Sequence, residues 1–209
     1  MLRQFGPLAG TPVDHYLPPG VPGYRNEHVF PVGEPDVQKA RALARGHRRS
    51  GTLVLYVNDR PGVPEQAQIV KRDLARIGLD VEIRTFPSGA LYFQKLANPK
   101  EPFDMAWIGL GFTSPDPGIV LDELFDGTTL GTGDVSHFDS PVWNAALRKA
   151  SLLTGQARYR AFGGLDIDLA REQAPSVAYG VDNALTLVSA RTGCVIVNPF
   201  LDLAAVCVK

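Results

Sequence analysis

The sequence predicts an α/β chain whose sheet is mixed but mostly parallel and flanked by helices. Three observations carry this. Short β-branched or alternating apolar runs and helix-period segments follow one another in the order β, α, β, α, β, joined by short links, as parallel crossover units require. Between Val63 and Ile77 the apolar residues Val63, Ala67, Val70, Leu74 and Ile77 recur at steps of four and three, with Lys71, Arg72 and Arg76 off that stripe. The run from Phe103 to Gly109 is apolar and then breaks into Gly, aromatic and Asp-Pro residues, with little room for a helix. It reads as a buried strand delivering a loop to the carboxyl edge of a sheet, where α/β folds bind ligands.

Taken in order, residues Leu8 to Pro35 are rich in Pro and Gly, so neither a regular helix nor a central strand runs through them. They predict an extended, surface-wrapping lead-in, residues 1–34. Glu34 to Arg45 is helical: Pro35 or Asp36 opens the first turn, Val37, Ala40 and Ala44 share a stripe, and Gly46 ends it. Thr52 to Val57 is a buried strand, the helix from Val63 stops at Gly78, and Leu79 to Phe86 alternates strictly, as a strand with one wet face does. A second helix covers Gly89 to Leu96, and Asp104 to Gly109 forms the next strand. Past the corner Pro115-Asp116-Pro117 a short helix holds Ile119 to Phe125. Ser140 and Pro141 open another helix running towards Leu153, and a further one spans Gln156 to Glu172. Ser176–Val181, Leu185–Ser189 and Val195–Val197 read as strands. The main lobe is placed at residues 35–191 and a tail at 192–209.

Composition narrows the function classes. A chain of 209 residues with 44% hydrophobic and 21% charged side chains is globular rather than disordered. The formal charge is −1 and no basic stripe gathers a phosphate backbone, which argues against nucleic acid. No apolar run is long enough to span a bilayer, and Met1-Leu-Arg-Gln-Phe-Gly lacks the apolar stretch of a secretory signal. Cys194 and Cys207 are the two cysteines, and two readings stand for them. A disulfide would close a short loop, worth roughly 3 kcal/mol in the chain-entropy model, and would imply an oxidising compartment. Alternatively, they are buried thiols acting as small hydrophobes.

Familiar catalytic patterns are missing. There is no Gly-x-Ser-x-Gly elbow, no Gly-x-Gly-x-x-Gly, no Gly-x-x-x-x-Gly-Lys and no His or Cys ligand pair, so neither metal nor cofactor is expected. His15, His28, His47 and His137 are scattered and read as solvated or capping. Asp104 and Asp116 could be an acid and base pair, but Asp104 begins a strand and Asp116 sits in a turn where it accepts backbone hydrogen bonds. Trp107 is expected in the core. Asp122, Glu123 and Asp126 read as a solvated helix face.

Ordered along the chain, several segments resemble one family: the extracytoplasmic solute-binding proteins, family 5, that serve peptide, nickel and related ABC importers. Tyr16-Leu-Pro-Pro-Gly-Val-Pro-Gly-Tyr24 followed by Pro35-Asp-Val-Gln-Lys-Ala-Arg-Ala-Leu43 resembles the family's proline-rich opening and "PD..KA..L" helix. Ala75-Arg-Ile-Gly-Leu-Asp-Val-Glu-Ile83 is similar to its "lkkiGI.v.i" junction. Phe103-Asp-Met to Pro115-Asp-Pro117 resembles "yD...gW..DYPDP", its most specific motif. Ala157-Arg-Tyr-Arg-Ala-Phe162 and Ala174-Pro-Ser-Val-Ala178 resemble "R..ly...e..l....P.ipl".

The resemblance implies a type II periplasmic-binding-protein lobe, specifically the carboxyl-terminal lobe of a two-lobed clamp that captures solute without catalysis. The implied ligand wall is Leu110, Gly111, Phe112, Thr113 and Ser114, with Pro115, Asp116 and Pro117 as a structural turn. The implied partners are a peptide or other small-molecule ligand, an ABC permease and an amino-terminal lobe carrying the export signal. The setting would be extracytoplasmic, at the periplasm or cell surface. The ending Leu201 to Lys209 resembles a native terminus, and residues from about Thr192 would pair with the other lobe. Where the family commonly carries Trp, Asp and Tyr, this chain has Leu110, Thr113 and Ser114. The missing carboxylate removes a charge-assisted bond of roughly 1.5 to 3 kcal/mol to an ammonium ligand, while neutral polar solutes or small oligosaccharides can still be held. Two rivals remain: a hydrolase using Asp116 as base, and an interaction module that self-associates through an exposed carboxyl-terminal strand.

Overall fold

A computed structural model describes residues 1–2, 6–46, 51–111, 114–131, 134–197 and 201–209. Its centre is a three-stranded parallel sheet of β2 (Leu53–Asn58), β3 (Val81–Phe86) and β4 (Met105–Ala106), in the spatial order β3-β2-β4. Strand β2 pairs with β3 over its whole length, Leu53 against Val81 through Asn58 against Phe86. On its other side it pairs with β4 through Leu55–Met105 and Tyr56–Ala106. The predicted strand Asp104–Gly109 is therefore shorter than expected. Asp104 N–H still donates to the Val54 carbonyl (2.9 Å) and Trp107 N–H to that of Tyr56 (2.8 Å), after which the chain leaves the sheet.

Alternation along β2 sorts its side chains onto two faces, and each face is covered by one crossover helix. Leu55 and Val57 pack with Val63 and Ala67 of α2 (Val63–Ala75), joined by Val81. Tyr56 faces the opposite way, against Tyr92 and Leu96 of α3 (Ala90–Ala97). Helix α2 ends as its glycine predicts, with Gly78 at φ +82°. Ahead of the sheet, α1 (Val37–Ala44) is capped by Asp36, which accepts from Lys39 N–H at 2.9 Å.

A second core joins α4 (Pro117–Phe125), α5 (Pro141–Ser151) and α6 (Gly155–Glu172). Val120, Leu121, Phe125, Leu147, Phe162 and Leu169 are its buried centre. The lead-in enters this core rather than wrapping the surface. Leu17 is fully buried and Tyr16 nearly so, their rings and branches lying against the helices. Gly23 and Gly163 make this approach possible, because a Cβ on Gly163 would collide with the Gly23 carbonyl.

The carboxyl-terminal strands differ most from expectation. Only Val181–Asp182 (β5) forms from the first run, antiparallel to Gly10–Thr11 (β1). Leu185–Ser189 has no regular structure, and Val197 makes only an isolated bridge to Leu201. The tail instead pairs Thr192–Gly193 (β6) with Cys207–Val208 (β7). Cys194 and Cys207 are bonded to each other beside this ladder, with Cα atoms 5.4 Å apart.

Candidate functional site

The carboxyl ends of β2, β3 and β4 open on a pocket of ≈ 250 Å³. Because β3 and β4 lie on opposite sides of β2, the chain reverses direction across the sheet here, and loops from neighbouring strands diverge to leave a crevice. Asn58 ends β2 and Arg60 follows it, Ser88 and Gly89 follow β3 and open α3, Phe93 comes from the first turns of α3, and Trp107 and Gly109 follow β4.

These walls are held from behind. The Tyr92 hydroxyl lies 3.0 Å from the Tyr56 carbonyl and 2.7 Å from that of Trp107, tying β2 to the exit of β4. Burial raises the Tyr92 pKa further, so its proton stays on as a donor. The Trp107 indole N–H donates to the Tyr179 hydroxyl (3.0 Å), which donates to Gln66 Oε1 on α2 (3.0 Å). Trp107 is thus half-buried, with one part packed on the α2 side of the sheet and another lining the pocket, rather than a core residue throughout. Asn58 is only 4% exposed; its Oδ1 accepts Arg60 N–H at 3.2 Å. Asp59, on the rim, accepts from Ser88 N–H at 2.7 Å and so fixes the β2 loop to the β3 loop.

The sequence-predicted ligand loop adjoins this pocket. Leu110 is half-buried against the helical core, and Gly111 and Ser114 are exposed. Phe112 and Thr113 lie outside the described residues. Asn58, Arg60, Ser88, Gly89 and Phe93 are not among the sequence-predicted site residues, which follow from the strand-end rule at Asp104–Gly109 alone. The same rule on Thr52–Val57 and Leu79–Phe86 points at the residues that follow them.

Asp116 is organised for structure. It caps α4 by accepting from Gly118 N–H (2.8 Å), with Pro117 in the first turn, and it pairs with the Arg158 guanidinium at 2.8 Å. The Arg158 hydrogen bond holds its pKa below the ordinary carboxylate value, which suits an ion pair and not a general base. Asp122 departs from the expected solvated face: it is half-buried, its Oδ1 has no partner among the described residues, and burial pushes its pKa up to about 6. His15 also departs from the solvated reading. It is 2% exposed, and its Nδ1 lies 2.6 Å from Asp166 Oδ2. Among the described residues no group of three or more His, Cys, Asp or Glu side chains could hold a metal ion.

A parallel sheet with a crevice at its carboxyl edge, covered by helices on both faces, is the architecture of a type II periplasmic-binding-protein lobe, and solved structures of that class superpose on it. The dipeptide-binding protein of Pseudoalteromonas sp. SM9913, solved with Met-Leu, matches at TM-score 0.76 and 19% identity over 96% of this chain and 41% of its own. The periplasmic binding protein DppA of Helicobacter pylori, solved with the peptide STSA, matches at 0.71 and 22% over 83% of this chain and 33% of its own. The oligopeptide-binding protein AppA of Bacillus subtilis, solved with a nonapeptide, matches at 0.64 and 18% over 83% and 37%. The chain thus spans about two fifths or less of these relatives. No curated protein matches it by sequence. The family model for the middle part of bacterial extracellular solute-binding proteins, family 5, matches residues 2–132, and the chain belongs to that family.

Proposed function

We propose that this chain is the carboxyl-terminal part of the substrate-binding component of an ABC-type importer, taking peptides or other small polar solutes without catalysis. The observation that carries this is the pocket at the point where the parallel sheet changes direction, lined from three strand ends and braced by Tyr92 and the Trp107–Tyr179–Gln66 chain. The Leu110–Ser114 loop, continuous with Gly109, would extend the wall. Ligand would be held between this lobe and a second one, in an extracytoplasmic setting, and the closed form would be presented to a permease. A lobe by itself makes only part of the contacts and binds weakly. The Asp116–Arg158 pair supports a non-enzymatic role, since the carboxylate considered as a base is engaged as an ion pair.

The test is amide-resolved NMR of the chain titrated to millimolar concentration with mixed dipeptides, tripeptides and small sugars. Shifts concentrated at Asn58, Ser88, Gly89 and the Trp107 indole are expected. Shifts scattered elsewhere, or none, would sink the assignment of this pocket. A second reading has an observation of its own: Leu185, Leu187, Leu203 and Val208 are 65%, 97%, 77% and 85% exposed, a surface suited to self-association through the tail. Mass that rises with concentration, and falls when Leu187 is made polar, would favour it.

A further inference from the structure

We infer that Asp134 is held as a neutral carboxylic acid donating to Ser136 Oγ, and that this proton latches the segment Asp134–Asp139 between the helical core and α3. The assignment follows from counting hydrogens at Ser136, whose hydroxyl has one proton to give and two lone pairs to fill. Its Oγ lies 2.6 Å from the Leu124 carbonyl, a group that can only accept, so the hydroxyl proton goes there. The same Oγ accepts the Phe138 N–H at 3.1 Å. A third contact, 2.7 Å to Asp134 Oδ1, then needs a proton from the aspartate. Oδ1 also accepts the Ser136 N–H at 2.7 Å, while Oδ2 has no partner among the described residues although Asp134 is 0% exposed. An ionised carboxylate would leave a charged oxygen unsolvated and press two bare acceptor oxygens together at Ser136. Burial accordingly raises the Asp134 pKa above its ordinary 3.8, against the hydrogen bonds of Ser136 and the charge of His137, which lower it.

What the proton holds is a junction between the two cores. Ser136 satisfies the Leu124 carbonyl in the last turn of α4, where helix geometry supplies no partner. Val135 packs on both the helical core and the Tyr56–Tyr92–Leu96 cluster. His137 keeps a left-handed backbone at φ +56°, which a side chain ordinarily avoids, and its Nε2 donates to the Leu96 carbonyl of α3 at 2.7 Å. Helix α3 supplies Phe93 to the pocket, so the latch lies behind one of its walls, but it stands whether or not the pocket takes a solute. On the elements packed here, Lys95 of α3 pairs with Glu101 at 2.7 Å, Asp122 of α4 meets Ser151 at 3.3 Å, and Asp139 accepts from Asn144 of α5 at 2.9 Å. Asp126 accepts from Thr128, and Glu123, Arg148 and Lys149 are exposed. His137 is the side chain whose charge bears on Asp134. The neutral acid favours the closed latch, so its contribution is full below pH 3.8 and is lost as pH rises through the raised value.

The test is the carboxyl-carbon NMR signal of Asp134 in the whole chain, followed through the acid and neutral range. Amide exchange of Ser136 and Phe138 is measured alongside and corrected for intrinsic base catalysis. Asp134 should still show the acid form at about pH 5.5, where an exposed aspartate of pKa about 3.9 has ionised. Opening of the segment should then rise as Asp134 titrates, by up to roughly tenfold for each unit separating its closed and open pKa values. Asp134→Asn keeps a donor for Ser136 Oγ and an acceptor for the Ser136 N–H, so it should hold the segment closed across the range and remove that rise. His15 and Asp122 titrate in parent and variant alike, so the difference between the two isolates Asp134. If Asp134 titrates with the exposed aspartates, the neutral-acid assignment fails. If it keeps its proton but parent and Asp134→Asn exchange alike at every pH, the latch fails. Should Asp134→Asn not fold, the parent decides: exchange that stays flat through the Asp134 titration overturns the latch.

Discussion

The two ends of the chain are both nearly free of regular structure, yet they are opposites in packing. The lead-in buries Asp14, His15, Tyr16 and Leu17, whereas the carboxyl-terminal stretch from Leu185 onward leaves Leu185, Leu187, Leu203 and Val208 mostly exposed. What separates them is where the polar groups go. Asp166, fully buried in α6, accepts from Tyr16 N–H (2.7 Å) and Leu17 N–H (3.2 Å) through Oδ1 and holds His15 through Oδ2 (2.6 Å). Asp14 folds the segment back on itself by accepting from Val29 and Phe30 N–H at 2.6 and 2.7 Å. An irregular backbone can enter a core when side chains supply the partners that a helix or sheet would otherwise provide. Among the described residues the tail has one short ladder, β6–β7, an isolated bridge and a disulfide, and supplies few such partners.

Removing the Asp166 anchor should erase that difference with the largest effect. Asp166→Ala leaves buried N–H donors and a buried imidazole unpaired, and is expected to cost about 3–5 kcal/mol, read as a drop in the chemical-denaturation midpoint. A change under about 1 kcal/mol would mean the lead-in is not anchored through this carboxylate. The pair also has a pH signature. Burial alone would lower the His15 pKa, but the Asp166 hydrogen bond and the charges of Asp166 and Asp14 outweigh it, and the net shift is upward from 6.5. Its stabilisation is therefore full below pH 6.5 and is lost as pH rises through the elevated value.

The next effect concerns the tail alone. Opening the bridge with Cys194→Ser releases a loop worth at most roughly 3 kcal/mol, and that loss should appear as faster amide exchange in 192–209. The global midpoint should move less than in Asp166→Ala. Equal losses at the midpoint would show that the tail is part of the cooperative core after all.

Asp122 sharpens the comparison from inside the body, as a half-buried carboxylate whose Oδ1 is unpartnered where every oxygen of Asp166 is used. Its pKa rises from 3.8 to about 6, so its neutral form favours folding below pH 3.8, and that contribution is lost as pH rises through about 6. Asp122→Asn should then stabilise the protein by about 1 kcal/mol at neutral pH after allowing for solvent screening, with the gain vanishing near pH 4. A gain independent of pH would refute the ionisation argument. The smallest effect is expected for Leu187→Lys, within about 0.5 kcal/mol of the parent because the side chain is 97% exposed. A larger loss would show that Leu187 is covered in solution.

Much of the sheet was legible because its signals are local. The 3.6-residue stripe from Val63, the Gly78 stop and the alternation before Phe86 each lie within one element, and together they gave α2 and β3. The stretch from Phe103 to Pro117 contains Trp107 and Gly109, which line one rim of the pocket, whereas the predicted wall residues Leu110, Gly111 and Ser114 are not among its lining. The other rim lies at Asn58, Arg60, Ser88 and Gly89, each ordinary on its own and meaningful only after β2, β3 and β4 are set side by side.

Sequence by itself determined the α/β order, the approximate helix limits, the hydrogen-bonding turn at Asp116 and membership in a solute-binding family, because periodicity, turn residues and contiguous motifs act over a few residues. Only the tertiary structure decided which apolar runs became strands. Thr52–Val57 found neighbours on both sides, while Leu185–Ser189, of similar composition, found none. It alone brought His15 to Asp166 across 151 residues and Asp116 to Arg158 across 42. Pairing and burial are properties of who lies next to whom, and partners so far apart along the chain leave no pattern in either segment.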